Sequence, residues 1–205
     1  MILRPIALLL AFTTSSIGFG ESLFDGKSLS LWEAKGTAEW RAENGVIVGG
    51  QDGDPKRSGV LRTKQTFADF DFETEFMIDE HGKYNSGVYL RDTGNGKRYQ
   101  VNIGRGVAGE YVGLHCGDWL DKGDEADAIR KPNAWNHLRI RAVGPKIEVW
   151  LNQQPIVNYT EPKPTPENLA PGALSLQTYG AEGHAGWVKF RGLKVTDLGQ
   201  PTDGK

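Results

Sequence analysis

Residues 135–159 read WNHLRIRAVGPKIEVWLNQQPIVNY, and their alternation decides the fold. Trp135, Leu138, Ile140 and Ala142 form an apolar set, and His137, Arg139 and Arg141 form a polar one. Gly144-Pro145 interrupts the run. Ile147, Val149 and Leu151 then alternate with Glu148, Trp150 and Asn152. Asn152-Gln153-Gln154 is a second turn, and Ile156, Val157 and Tyr159 open a third run. A period of two between tight turns predicts an antiparallel meander.

The same pattern extends outward. Trp40 to Val48 reads as a hairpin about Asn44-Gly45, a strong turn dipeptide. Phe70 to Ile78 sets Phe70, Phe72, Phe76 and Ile78 on one face and Asp71, Glu73, Glu75 and Met77 on the other. Val88 and Leu90 point inward from 86–91, leaving Tyr89 and Arg91 outward. Tyr99, Val101 and Ile103 point inward, leaving Gln100 and Asn102 outward. Leu174 and Leu176 are buried, leaving Ser175, Gln177 and Tyr179 outward, and Val188 to Val195 closes the sandwich. The expected fold is all-β, a two-sheet antiparallel jelly-roll sandwich. Val88, Leu90, Val101, Ile140, Val149 and Leu176 lie between its sheets. Residues 104–134 alternate poorly and read as a loop over one end of the sheet, with an acidic stretch at 121–127.

The first twenty residues carry one charge, Arg4, then an apolar run from Ile6 to Phe12 and small residues, with Gly18 and Gly20 at the −3 and −1 positions. This is the pattern of a secretory signal peptide cut near Gly20-Glu21. The apolar run is well short of the ~20 residues that span a bilayer. The expected division is a signal peptide over 1–20, one domain over 21–199 and a disordered tail over 200–205, in a periplasmic or extracellular protein. Without Arg4 the chain has 24 − 1 = 23 basic residues against 26 acidic ones. That balance argues against nucleic acid or an anionic membrane surface as partner. A single cysteine, Cys116, cannot form an internal disulfide and reads as a buried thiol.

Strung together, several segments resemble one family. LFDGKSLSLWE (23–33), WRAENGVIVGG (40–50), DFDFETEF (69–76), YNSGVYLRD (84–92), YQVNI (99–103), the 135–152 stretch, GALSLQTYG (172–180) and VKFRGLKV (188–195) follow in order the segments of the 3-keto-disaccharide hydrolase domain. The resemblance implies a concanavalin-like or laminin-G-like jelly roll that acts on carbohydrate. The chain departs from the family at three points. Gln100 stands where the family has a glutamate after the tyrosine, and Asn102 where it has a glutamine. The histidine that follows "LQ" is missing, with His184 a few residues later.

The chemistry that the resemblance implies is cleavage of a 3-keto glycoside. The C3 ketone acidifies the C2 hydrogen, a base removes it, the C1 substituent leaves, and water adds back. The expected catalytic residues are Glu75 or His184 for base and acid work and Arg91 for the enolate oxygen. Gln100, Asn102, Gln177 and Tyr179 are expected to contact the sugar, with His115 and Trp119 closing the site. No metal-ligand spacing and no cofactor motif is present. Two rival readings remain open. One is a non-catalytic carbohydrate-binding module. The other is a conventional glycosidase with Glu73 and Glu75 as paired carboxyls, which retaining enzymes hold about 5 Å apart.

Overall fold

A computed structural model describes residues 20–51, 58–81, 84–95, 98–179 and 186–199. The proposed leader and tail, and His184, lie outside the described residues. Fifteen strands are described: β1 (Glu21–Ser22), β2 (Trp32–Gly36), β3 (Trp40–Glu43), β4 (Val46–Gln51), β5 (Gly59–Thr63), β6 (Phe70–Ile78), β7 (Asn85–Asp92), β8 (Tyr99–Ile103), β9 (Gly113–Cys116), β10 (Asp118–Asp121), β11 (Asn136–Val143), β12 (Lys146–Leu151), β13 (Gln154–Thr160), β14 (Ala173–Tyr179) and β15 (Gly186–Asp197). One helix, α1 (Pro166–Leu169), and a 3-10 turn at Gly106–Ala108 complete the described elements. The strands form two antiparallel sheets. The first has the order β13-β12-β11-β6-β15-β4-β3, with β1 beside β15, and the second has the order β10-β9-β8-β7-β14-β5-β2.

The turns explain the register. Asn152 and Gln153 both have positive φ (48° and 70°), as do Asn44 and Gly45 (51° and 80°). Two successive positive values make the two-residue turn that matches strand twist. They pair Leu151 with Gln154 and Glu43 with Val46. The asparagines of the 135–152 stretch then clamp the meander. Asn136 is 1 % exposed. Its side-chain amide donates to Lys131 O and Ala134 O, and its Oδ1 accepts from Lys131 N and Asn152 Nδ2. The motif that most clearly marks the fold is therefore a structural clamp.

The core is as the alternation requires. Val88, Leu90, Val101, Ile140, Val149 and Leu176 are all at most 1 % exposed, as are Phe70, Phe72 and Phe76 of β6. Each such aliphatic or aromatic side chain contributes about 1.5–3 kcal/mol by leaving water. Trp135 departs from the expectation: it belongs to the polar parity and stacks under Arg191 on the outer face, 4.1 Å from ring centroid to guanidinium carbon.

Residues 104–134 are more ordered than expected. They contain β9 and β10, which pair across a turn at Gly117 (φ 81°). Four-residue strands are too short for alternation to reveal. The acidic stretch folds as a clasp. The Asp124 carboxylate accepts from the N–H groups of Ala128, Ile129 and Arg130. Asp127 and Glu80 hold the buried Arg130 guanidinium.

Arg91 corrects a third expectation. Alternation sets it on the outer face of its sheet, but its φ is +50°, a region that L-residues rarely enter. A register shift between Ala173 and Ser175 accompanies it on the neighbouring strand. The side chain turns into the space between the sheets and is 6 % exposed. Nε donates to Ala68 O at 2.5 Å, a terminal nitrogen reaches Asp69 Oδ1 at 3.2 Å, and the other reaches Asn168 O. Arg91 thus ties β7 to the segment before β6 and to α1. Glu75, expected to share a site with Arg91, is bound by Arg191 on the other sheet. Arg91→Ala should lower stability by about 3 kcal/mol, because it leaves a buried carboxylate short of its cation. Denaturant unfolding checks this, and Arg91→Lys should recover only part of the loss.

Candidate functional site

The outer face of the second sheet is organised by cross-strand rows. Direct partners share a face, so pairing alone lines up Glu33, Arg62, Ser175, Tyr89, Gln100, His115 and Trp119 across seven strands. The next row runs Lys35, Val60, Gln177, Gly87, Asn102 and Gly113. Tyr179 and Asn85 face each other beyond it.

Gly87 sits in the middle of this face and leaves a gap. Gln100 reaches across it from β8, and its Nε2 donates to Gln177 Oε1 on β14 at 2.5 Å. A Cβ on Gly87 would stand 2.3 Å from Gln100 Nε2 and 2.9 Å from its Cγ. The absence of one side chain therefore lets two glutamines, separated by a strand, meet and floor a depression.

The depression has a volume of about 190 Å³ and is lined by Asn85, Gln100, Asn102, Glu110, His115, Trp119, Gln177 and Tyr179. Six of the nine residues singled out from the sequence converge here: Gln100, Asn102, His115, Trp119, Gln177 and Tyr179. Alternation sets Gln100, Asn102, Gln177 and Tyr179 on one face, and the strand order brings them together with His115 of β9 and Trp119 of β10, which were expected in a loop. The aromatic end is a packed group. Trp119 lies edge-on to His115 (5.3 Å between ring centroids) and tilted against Tyr111 (5.2 Å).

Two lining residues were missed. Glu110 lies in the irregular segment before β9, where no periodicity marks it. Asn102 Nδ2 donates to Glu110 Oε2 at 3.1 Å and to Tyr111 O at 2.8 Å. Among the described residues Glu110 Oε1 accepts no hydrogen bond. A Cβ on Gly104 would fall 2.3 Å from Glu110 Cβ, so the GRG sequence at 104–106 is what admits this carboxylate. The other missed residue is Asn85, which begins β7. Its Oδ1 is buried and has no partner among the described residues. A buried carbonyl left so costs about 1–3 kcal/mol until a donor meets it.

Glu75 does not belong to this site. It lies on the outer face of the other sheet, paired with Arg191 (2.7 and 3.2 Å). The rest of the β6 acid ladder is engaged there too. Arg139 grips Asp71 with two bonds of 2.8 and 2.6 Å, Arg141 adds a third, and Glu73 lies 3.4 Å from His137. The physical reason is register: each acid faces a cation on β11 or β15, so the ladder is an ion-pair network. Glu73 and Glu75 are accordingly not a glycosidase pair poised over an open cleft. Arg91 is likewise outside the depression, on the inner side of its sheet.

A larger cavity of about 740 Å³ opens at one end of the sandwich, lined in part by Leu90, Arg91, Tyr99, Cys116, Glu161 and Asn168. Its polar groups already serve one another. Tyr99 and Tyr159 both donate to Glu161 Oε2 (2.7 and 3.0 Å), and Asn168 donates to Tyr99. Burial and the Glu161 carboxylate push the Tyr159 hydroxyl up to about 12 and raise Tyr99 further. This is a latch between the sheets. The smaller depression, with its free carboxylate oxygen and orphaned carbonyl, is the better candidate. Among the described residues no cluster of His, Cys, Asp and Glu could hold a metal ion. None of their helices is long and apolar enough to cross a membrane.

Solved structures share this architecture. A Parabacteroides distasonis protein provisionally described as a glycosyl hydrolase superposes with a TM-score of 0.63 at 19% identity, covering 86% of this chain and 93% of its own. The carbohydrate-binding module CBM66 from Bacillus subtilis gives 0.58 at 16% identity, covering 80% and 94%. The exoplasmic/lumenal domain of VIP36, with Ca2+ and Man3GlcNAc bound, gives 0.57 at 13% identity, covering 86% and 87%. At these identities the likeness establishes the fold. No curated protein matches the chain by sequence. The model of the 3-keto-alpha-glucoside-1,2-lyase-like domain matches residues 20–196, and the chain belongs to that family.

Proposed function

We propose that this is an exported, carbohydrate-active protein that cleaves the glycosidic bond of 3-keto sugars over the Gly87 gap. The observation that carries the reading is Glu110: one carboxylate, oriented by Asn102, in a depression otherwise lined by amides and aromatic rings. Two-carboxylate hydrolysis needs a pair. Elimination from a 3-keto sugar needs one base, because the ketone has already made the C2 hydrogen acidic.

In this scheme Glu110 Oε1 takes the C2 proton and the electron pair forms an enolate on the C3 oxygen. The C1–O bond then breaks, and His115 donates a proton to the departing oxygen. Water adds at C1 and a proton returns to C2, so the net change is hydrolysis. Amide N–H groups of the Gln100, Gln177 and Asn85 set replace the arginine expected from the sequence as donors to the enolate. Trp119 and Tyr179 offer flat faces to the sugar's C–H surface. Glu110 thus restores, from a different strand connection, the carboxylate that Gln100 removes from the family pattern.

A binding-only module is the second reading. The depression is shallow and amide-rich, and Gln100 itself favours it. Incubation with a 3-keto disaccharide and with its parent sugar separates the readings. Cleavage of the keto form alone is the expected result. Cleavage of both points to a conventional glycosidase, and binding of either without cleavage to a module. Glu110→Gln should lower turnover of the keto sugar by about 10²–10⁴ while leaving its binding within a few-fold. Gly87→Ala should displace Gln100 from Gln177 and weaken sugar binding about tenfold, with stability changed by less than ~1 kcal/mol. Calorimetric titration beside thermal melting checks both halves of that expectation.

A further inference from the structure

The row that passes through the depression does not end at Gln100. Its next members are Tyr89, Ser175 and Arg62. Arg98 lies over the Tyr89 ring, 4.4 Å from guanidinium carbon to centroid. Tyr89 is the direct cross-strand partner of Gln100, and Arg98 stands two residues before Gln100 on the chain entering β8, so this arginine and its ring adjoin the floor of the depression.

Between the two arginines is Asp92, which is fully buried. Its Oδ1 accepts from Gly94 N (2.8 Å) and Arg98 (3.2 Å). Its Oδ2 accepts from Ser175 Oγ (2.7 Å) and lies 3.4 Å from Arg62 Nε. Arg62 also donates to Asp92 O. These contacts hold the carboxyl below the usual range against its burial. One carboxylate thus orders two guanidinium groups and neutralises one of them. Arg62 Nε is buried without a hydrogen bond in the described structure, and Arg98 makes a single one. Beside them Glu33 is met by Lys35 at 2.5 Å and by the charges of Arg62 and Lys64. Among the described residues four cations, Arg62, Arg98, Lys35 and Lys64, stand with the two carboxylates of Asp92 and Glu33 at this end, in a chain whose net charge is −2.

We propose that Arg98 and Arg62 form an acidic-sugar subsite adjoining the depression, so that the protein prefers saccharides carrying a carboxylate on the unit next to the one held by Gln100 and Gln177. The inference rests on the sugar-binding reading of that face. Arg98 is ordered in advance, since its flat side is fixed on Tyr89 and one N–H is fixed on Asp92. The remaining N–H groups suit the two oxygens of a carboxylate, the pairing a guanidinium makes best. The exposed part of Arg98 keeps the contact sensitive to salt.

The test uses α- and β-linked disaccharide pairs that differ only in whether one hexose is oxidised at C6 to the hexuronate. Binding is measured by calorimetry at low and high ionic strength. The expected result is roughly tenfold tighter binding of the uronate member at low salt, a smaller advantage at high salt, and none in Arg98→Gln. Arg98→Lys should keep part of it. Equal binding within every pair, binding of neither member, or a preference that survives Arg98→Gln overturns the subsite. The reaction is judged separately on neutral 3-keto disaccharides. Their cleavage without any acid preference retains the reaction and removes the subsite. Uronate preference without cleavage of any 3-keto sugar does the reverse.

Discussion

A missing side chain, at Gly87, is the constraint on which the site depends. Three strands must run antiparallel with Gln177, Gly87 and Asn102 in one row before Gln100 can cross to Gln177. That row is in register only because its neighbour, Leu61, Leu176, Val88, Val101 and Leu114, is locked in the core at 0–1 % exposure. A slip of one residue would turn the amides inward and the aliphatic side chains outward. The apolar face therefore fixes the polar one, and the energy that holds the site together is hydrophobic burial on its reverse side.

The two sheets use their outer faces differently. On the first, acids of β6 meet arginines, a histidine and a lysine of β11 and β15, and tryptophans cover two of the guanidinium groups. Opposite charges there are close and matched, although His137 Nδ1 is buried without a partner among the described residues. On the second, amides, rings and one carboxylate face solvent around a gap. The polar groups there are matched incompletely, as Asn85 Oδ1 and Glu110 Oε1 illustrate. Unfinished hydrogen bonding of this kind is common where a protein awaits a ligand.

Much of this was legible in the sequence. The Asn44-Gly45 turn, the β11–β13 meander and the inward positions of β6, β7, β8 and β14 follow from period-two alternation, as does the outward placement of Gln100, Asn102 and Gln177. Alternation says which face of its own sheet a residue occupies, but not which sheet the strand joins. Glu75 was thus placed correctly outward and wrongly beside Gln100, across the sandwich from it. Arg91 escaped because a single positive φ reverses the side-chain direction, and nothing in NSGVYLRD announces that bend. Glu110 escaped because its position depends on a glycine, Gly104, that makes room for it in a segment without periodicity. The errors share a cause: each turned on tertiary placement or a local break in regularity. The acid ladder also shows how charge patterning misleads, since three carboxylates on one strand face were a structural network.

The proposed ligand face is the one over Gly87 and not the acid ladder on the opposite sheet. Side-chain amide and indole resonances report this directly. On titration with a 3-keto disaccharide, the side-chain amides of Gln100, Asn102 and Gln177 and the indole N–H of Trp119 should shift. The indoles of Trp135 and Trp150, which lie under Arg191 and Arg139 on the other face, should stay still. Shifts confined to Trp135 and Trp150 would contradict that placement.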